Sequence, residues 1–575
     1  MTDTRGRPRS GITTVFDPIH QHTAAPALLP HMRTYRPSDE VDFVVVGSGA
    51  AGGVMAHELA RFGFSVVVLE QGPWLTEKDF SHDHQNAMYH PEKSLSQNPA
   101  DQPQTFRQKD GDTAKKGHHI DYGRVVGGGT VHFTANYWRF PEIEFGLATR
   151  FGVPDGSTVA DWPITYKDLE PYYTKVDWEI GVSGKAGNPF EPPRSKGFPV
   201  PPLPIKSEGV LCERGAKKLG WHAWPAPMAI ISRPYRGRAA CIACGLCGGF
   251  GCEVQAKSST LVAMIPGAVA TSRCEIRPNS YVSRIEMGPN GRVTGVTYFD
   301  KDKKDVFQSA KAVVLSANGA ETPKLLLLSA THAFPDGLAN SSGQVGRNLM
   351  NGSGGGASAL FDHEINTWKG ADVSRVIWDF FEVPKELGLY GGGGLDMRRN
   401  YNGMAGTWPG EPTWGREWKK RAKVYFSNGV DANAHVTQLP VSTNRIDLDD
   451  VEKDAWGLSV PRITFTAHPQ DIRLGKWFGD RGRELLQAAG AAKVSESRGG
   501  SYGGGEHLLG TCRMGNDPKT SVINTDHRTH DVPNLFIVDG SSFVTSGRGQ
   551  PTMTIQALAF RAADRITQLA KARSI

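Results

Sequence analysis

No apolar stretch in this 575-residue chain reaches the ~18 residues that cross a bilayer, so no transmembrane helix is expected. Charge of one sign is not in excess. Sixty-five Lys and Arg stand against 59 Asp and Glu, a net charge of +6. With no basic run, this argues against a dedicated nucleic-acid binder. Cysteine is scarce: seven in all, an odd number, four of them crowded between 241 and 252. That is not a disulfide framework. Residues 1–39 are rich in Pro, Arg, Thr and His and lack both periodicity and the apolar core of a secretory signal. They read as an N-terminal extension, either a surface arm or a disordered tail, and no export signal is expected on this chain.

What is present is ordinary globular composition, 39% hydrophobic and 22% charged, with enough length for two or more domains. Glycine is abundant, and three glycines fall in a telling order. Asp42 to Gly72 reads DFVVVGSGAAGGVMAHELARFGFSVVVLEQG. Phe43–Val46 is a short β-branched run of the buried parallel-strand type. Gly47, Gly49 and Gly52 supply G-x-G-x-x-G, residues 50–61 favour helix, and 65–69 give a second buried strand ending at Glu70. In such a unit the first glycine makes the tight turn, the second admits a pyrophosphate, and the third lets helix and strand pack. The helix N-terminus faces the phosphates and the acidic residue reaches a ribose. An α/β dinucleotide-binding fold is expected, with FAD and NAD not separated by this motif.

Segment 75–120 is polar and aperiodic and reads as a long loop or lid. Tyr122–Phe140 (YGRVVGGGTVHFTANYWRF) carries Gly127, Gly128 and Gly129, a run that suits close approach of backbone to a cofactor. Segment 274–315 alternates like a β-meander turning at Pro289–Gly291, with a buried strand at 312–316 and a helix from Glu321 carrying Pro323 in its first turn. Between about 350 and 500 lie seven of the 13 Trp: Trp368, Trp378, Trp408, Trp414, Trp418, Trp456 and Trp477. This stretch is expected to be a sheet-containing substrate domain, its Trp faces either stacking on a sugar or filling the core. The chain then returns with GEHLLGTCRMG, NLFIVDGS and a closing helix from Pro551 to about Ala572.

Four blocks together resemble the glucose–methanol–choline (GMC) family of FAD oxidoreductases: VVVGSGAAGG; GRVVGGGTVHFTANYWRF; LSANGAETPKLLLLS with VGRNLM; and EHLLGTCRMG…NLFIVDGSSFVTSGRGQPTMTIQALAF. They span residues 42–564. The resemblance implies a Rossmann-like, α/β (α+β overall) FAD domain over 40–345 with a Cys-rich insert near 236–258. A β-sheet-containing substrate domain would follow over 346–500, and a return to the FAD domain over 501–575. His507 falls where the family places its catalytic histidine, and Gln550 where a second His or Asn usually stands. Glu70, Asn318, Gly319, Asp539 and Gly540 match FAD contacts, and Thr130 and Thr552 fall within the same blocks. His132 sits where some relatives link FAD covalently.

Cys241, Cys244, Cys247 and Cys252 spell C-x2-C-x2-C-x4-C. Three readings stay open: an Fe–S cluster of three or four irons, a structural zinc, or free thiols or disulfides. The block GGGTVHF…WRF and the Cys-rich text look most like the multi-subunit sugar dehydrogenases, including glucoside 3-dehydrogenase, FAD glucose dehydrogenase and gluconate dehydrogenase. That resemblance implies a sugar or glycoside substrate, a small subunit and a cytochrome c acceptor. It also implies either a cytoplasmic location or a periplasmic one reached by co-export with a signal-bearing partner. An O₂-using carbohydrate or alcohol oxidase without a cluster, and an electron-transfer flavoprotein without its own substrate, are the alternatives. His507 argues against the last.

Overall fold

The computed structural model describes residues 32–80, 95–399, 408, 411–501 and 505–575. Most of the expected N-terminal extension, residues 1–31, lies outside the described residues. Strands Cys274–Arg277, Val66–Leu69, Val41–Val46, Asp305–Leu315 and Leu535–Ile537 lie side by side in that order, all parallel. The valines of Val66–Leu69, Val41–Val46 and 313–314 are buried because helices cover the sheet, which is why these runs read as apolar. The long strand Asp305–Leu315 has three partners, Leu535–Ile537 among them. Its second half pairs with Val41–Val46, and its first half turns back on Val293–Phe299 and Tyr281–Met287 as the expected meander.

Helix Gly52–Arg61 follows the first strand, as the motif predicts, and packs against the closing helix Thr552–Lys571. Gly47 has φ +92°, and a Cβ there would lie 2.6 Å from the Ser316 carbonyl oxygen. A Cβ on Gly52 would lie 2.0 Å from the Gly47 carbonyl oxygen. The turn therefore tolerates only glycine at both positions.

A second sheet is antiparallel. Its order is Lys493–Val494, Ser353–Leu360, Gly429–Val436, Gly393–Arg399, Val373–Ile377 and Ala223–Pro225, with Arg498–Ser501 also pairing on Ser353–Leu360. Alternation sorts its faces. Val430, Ala432, Ala434, Val436, Leu395 and Met397 join a core under helices Pro469–Ala488 and Ser207–Leu219. Asp431, Asn433, His435, Asp396 and Arg398 occupy the opposite face.

A third sheet joins Arg445–Lys453 and Ser459–Thr464 to Gln104–Arg107 and Lys115–Gly117. The expected 75–120 loop thus contains two strands, with 81–94 outside the described residues. These strands escape a periodicity reading because their buried residues are polar. The Gln104 side chain donates to the Ile120 carbonyl, and Thr105 donates to Asp449 at 2.7 Å. The three sheets also interleave across the expected boundaries. Ala223–Pro225 joins the sheet of the expected 346–500 unit, while Arg445–Thr464 pairs with 104–107.

One buried carboxylate anchors the first helix. Glu58 accepts from Lys175 at 2.6 Å and from the His57 ring at 2.9 Å, with Arg61 at 3.2 Å. Burial alone would raise its pKa, but these partners outweigh it and hold the carboxyl down to about 2. A depressed acid contributes stability that is present above its unfolded pKa of about 4.3 and lost as pH falls through the folded value. Glu58→Gln is therefore expected to lower the urea-unfolding free energy at neutral pH. The gap to the parent protein should narrow as pH drops from about 4.3 toward 2. A pH-independent gap contradicts the assignment.

Candidate active site

The cavity that matters runs along the carboxyl ends of the parallel strands. One end is the glycine turn. Gly47, Gly49, Glu70, Gly128, Thr130, Asn318, Asp539, Gly540 and Thr552 all line it, as do His132, His507 and Gln550. Of the expected cofactor residues, Gly52, Gly127 and Gly319 do not. Gly52 packs behind the turn. Gly127, at φ +98°, donates its N–H to the Ser48 hydroxyl at 3.0 Å. Gly319 lies against Leu508, whose carbonyl oxygen would be 2.3 Å from a Cβ.

Glu70 ties the turn together: it accepts from the Ser48 N–H and hydroxyl at 3.1 and 2.7 Å and from the Gly72 N–H at 2.9 Å. Thr130 donates to the Gly127 carbonyl at 2.6 Å and accepts from the Thr260 N–H. Asn318 takes φ +90°, and its side chain accepts from the N–H groups of Ala320 and Glu321 at the start of the following helix. Asp539 accepts from the Asn318 N–H, from Thr322 at 2.6 Å, and from both the N–H and the hydroxyl of Ser541. The expected anchors for a dinucleotide are thus fixed before any ligand arrives.

At the other end stand His132, His507 and Gln550. Burial depresses the His507 pKa to about 4; the neighbouring His435 adds to the depression and a hydrogen bond to Gln550 opposes it. The imidazole is therefore neutral at ordinary pH and able to accept a proton. His132 is likewise held down to about 4 by burial, and its Nε2 has no hydrogen-bond partner. A buried ring nitrogen left open on a cavity wall suits a bound polar ligand. The glycine cradle, this open nitrogen and the cavity's length fit FAD.

Three residues of the second sheet meet the cavity through Gln550 rather than lining it, and motif reading missed them. Asp396, Arg398 and His435 sit on the sheet face opposite the core, where they form one cluster. Arg398 Nε donates to Asp396 Oδ1 at 2.6 Å, and its Nη2 reaches both Asp396 Oδ2 and His435 Nε2, the latter at 2.9 Å. Gln550 Nε2 lies 3.2 Å from the same His435 nitrogen. Burial alone would raise the Asp396 pKa, but Arg398 and His435 pull it to about 2. The available signal was the polar run Asp431, Asn433, His435 at every second position of an otherwise apolar strand.

None of the seven Trp of segment 350–500 lines the cavity. Trp378 instead packs edge-to-face on Trp138 at 5.8 Å and stacks on Phe381 at 5.2 Å, filling the core. The cysteines also depart from expectation. Cys247 is buried, and Cys241, Cys244 and Cys252 are half-buried; all are free thiols. Among the described residues no group of three or more His, Cys, Asp or Glu is placed to hold a metal ion. Burial pushes the Cys247 thiol up to about 12 and raises Cys241. The buried cation among them, Lys257, donates instead to the carbonyls of Cys247, Phe250 and Phe133. The four-thiolate set read from the spacing is not assembled in this arrangement. The segment does abut the cavity wall, for the Gly249 N–H donates to the His132 carbonyl at 2.6 Å.

Comparison with known proteins agrees with this architecture. Two GMC oxidoreductase family models match residues 41–352 and 440–559. The chain is 36% identical over 542 residues to a 2-methyl-1,2-propanediol dehydrogenase of Mycolicibacterium austroafricanum, covering 92% of this chain and 96% of that protein. It is 30% identical to a gluconate 2-dehydrogenase flavoprotein of Pantoea cypripedii (92% and 94% covered). Identity is 31% to a fructose dehydrogenase large subunit of Gluconobacter japonicus (91% and 97% covered). An Aspergillus oryzae formate oxidase variant shares the fold alone, with TM-score 0.65 at 16% identity over 94% of this chain and all of that one. With family models over most of its length and relatives matched nearly end to end, the chain belongs to the GMC oxidoreductase family, FAD-dependent enzymes acting on alcohol or sugar hydroxyls.

Proposed function

We propose that the protein is an FAD-dependent dehydrogenase of a small polyhydroxy compound, a sugar, glycoside or short vicinal diol, with His507 as the base. The reading stands on a neutral, buried imidazole that lines the same cavity as the glycine turn. When bound, FAD supplies hydride acceptance at its ring nitrogen N5. The turn at Gly47 and Gly49 and the N-terminus of helix Gly52–Arg61 would receive the pyrophosphate, with Glu70 toward the ribose. Asn318, Asp539 and Gly540 would hold the opposite side. His507 takes the substrate's hydroxyl proton, and its low proton affinity lets it release that proton readily. The names of the relatives, which specify a diol, gluconate and fructose, support this substrate class. A glucoside 3-dehydrogenase is one candidate within it.

On cysteine spacing alone, Cys241, Cys244, Cys247 and Cys252 would be the residues to hold an Fe–S cluster, which would supply single-electron transfer toward a small subunit and a cytochrome c; their present arrangement does not assemble such a site. Periplasmic placement would then follow from co-export with a signal-bearing partner. The position of the segment against His132 supports it, as do the N–H groups of Ala243 and Lys257, which point at Cys241 and Cys252 sulfurs at 3.4 Å. The competing reading is an oxidase that returns electrons to O₂.

His507→Ala is expected to keep FAD bound and to lower kcat by at least ~10² with any substrate the parent turns over. Near-normal turnover removes His507 from the mechanism. Iron and acid-labile sulfide are expected in anaerobically purified protein. Their absence, with rapid peroxide formation, selects the oxidase.

A further inference from the structure

We propose that helix Gly415–Asn428 is a docking surface for an anionic lipid bilayer. The helix leads into strand Gly429–Val436, and none of its residues lines the cavity. It is strongly basic in a chain close to neutral. Arg416, Lys419, Lys420, Arg421 and Lys423 stand against Glu417 alone, whereas the whole chain carries only +6. Helical spacing sorts these charges. Trp418, Ala422 and Tyr425, at i, i+4 and i+7, form the better covered side; Tyr425 is buried and its ring stacks on Trp408 at 6.4 Å. Arg416, Lys420 and Lys423 have the same spacing on the opposite side and are exposed, with Lys419 next to them. Arg421 is drawn away to Glu411 at 2.8 Å. Lys420 meets Glu417 at 3.0 Å, an exposed pair of little strength. Among the described residues no carboxylate pairs with Arg416, Lys419 or Lys423.

Gly415, Arg416, Lys419 and Lys420 line an open depression on the surface. Three of the four bring cationic donors, and a lipid phosphate offers only acceptors. Large apolar side chains frame this basic face. Trp414, directly before the helix, is 82% exposed, and Val424 and Phe426 are 47% and 41% exposed. Val424 follows Lys420 by four residues and Phe426 follows Lys423 by three, so both border the charges on the last turns. Single exposed apolar residues are ordinary, but three around one charged face of a 14-residue helix are not scattered. An acidic protein would also meet the charges, yet lysine is depleted from protein interfaces. Tryptophan and phenylalanine framing lysine and arginine is the composition of a helix lying at the headgroup level of a bilayer. The apolar rings enter the acyl boundary there, and the cations on their long stems reach the phosphates.

Vesicle co-sedimentation of the full-length, FAD-loaded protein tests this. At low salt the protein is expected to pellet with phosphatidylcholine vesicles containing about 40% phosphatidylglycerol and to stay in solution with phosphatidylcholine alone. Raising salt to ~0.5 M should release most of it, because screening shortens the reach of the charges. Lys419→Glu combined with Lys423→Glu is expected to raise the lipid concentration for half-binding at least ~10-fold, with flavin content and melting temperature unchanged. Should that charge reversal disturb folding, Lys419→Gln with Lys423→Gln replaces it, with an effect in the same direction. Lipid brominated in its acyl chains should quench tryptophan emission of the bound parent protein, and Trp414→Ser should remove most of that quenching. Failure to pellet with the anionic vesicles at low salt overturns the proposal and leaves the helix to an acidic protein. Equal pelleting with phosphatidylcholine alone, or charge variants that bind like the parent, overturns it as well.

Discussion

Backbone contact without room for a Cβ is the constraint on which this structure depends. A Cβ on Gly128 would lie 2.7 Å from the Cα of Gly49, so the 123–129 stretch rests directly on the nucleotide turn. Cβ atoms on Gly319 and Gly540 would lie 2.3 and 2.6 Å from one atom, the Leu508 carbonyl oxygen. That carbonyl is wedged between the ends of two parallel strands, and the residue before it is His507. The imidazole is thus placed by main chain rather than by a flexible side-chain contact. Gln550 is placed by an independent device. Its loop is held by Glu144, buried with Arg548, which accepts from Arg548 Nε at 3.0 Å and from the Gly547 N–H at 3.1 Å. Removing either partner of such a pair leaves an uncompensated buried charge, a cost of about 3–5 kcal/mol.

Local order made the nucleotide half legible in the sequence. Strand, turn, helix, strand and Glu70 are consecutive, so their meeting needs no knowledge of the rest of the chain. The same holds for the meander and for the helix begun at Glu321. What stayed hidden was built by register between distant strands. Gly394 pairs with His435 and Asp396 with Asn433, and only that antiparallel pairing brings Asp396, Arg398 and His435 beside a histidine some 70 residues farther on. The strand Gln104–Arg107 was hidden for a related reason. Its partner is Ser459–Thr464, and its buried side chains satisfy backbone groups instead of filling an apolar layer.

Tryptophan content proved a poor guide to chemistry. Trp138 and Trp378 act by volume: a Cβ on Gly394 would lie 2.7 Å from the Trp138 ring, so the strand gives way to the indole and the indole in turn fixes the His435 ring. The cysteine segment stands apart from this machinery. It touches the cavity wall through Gly249 and Lys257.

On the proposed reading, the neutral His507 imidazole takes the hydroxyl proton as hydrogen leaves the adjacent carbon for bound flavin. The most direct measurement is the anaerobic rate of flavin bleaching by a reactive polyol, with protium or deuterium at the carbinol carbon, across pH. The account predicts a primary isotope effect of several-fold that persists when His507 is replaced, on a rate that collapses with that replacement and falls in the parent protein only when His507 protonates at low pH. A parent enzyme with no isotope effect, or a His507 variant that bleaches at the parent rate, would contradict it.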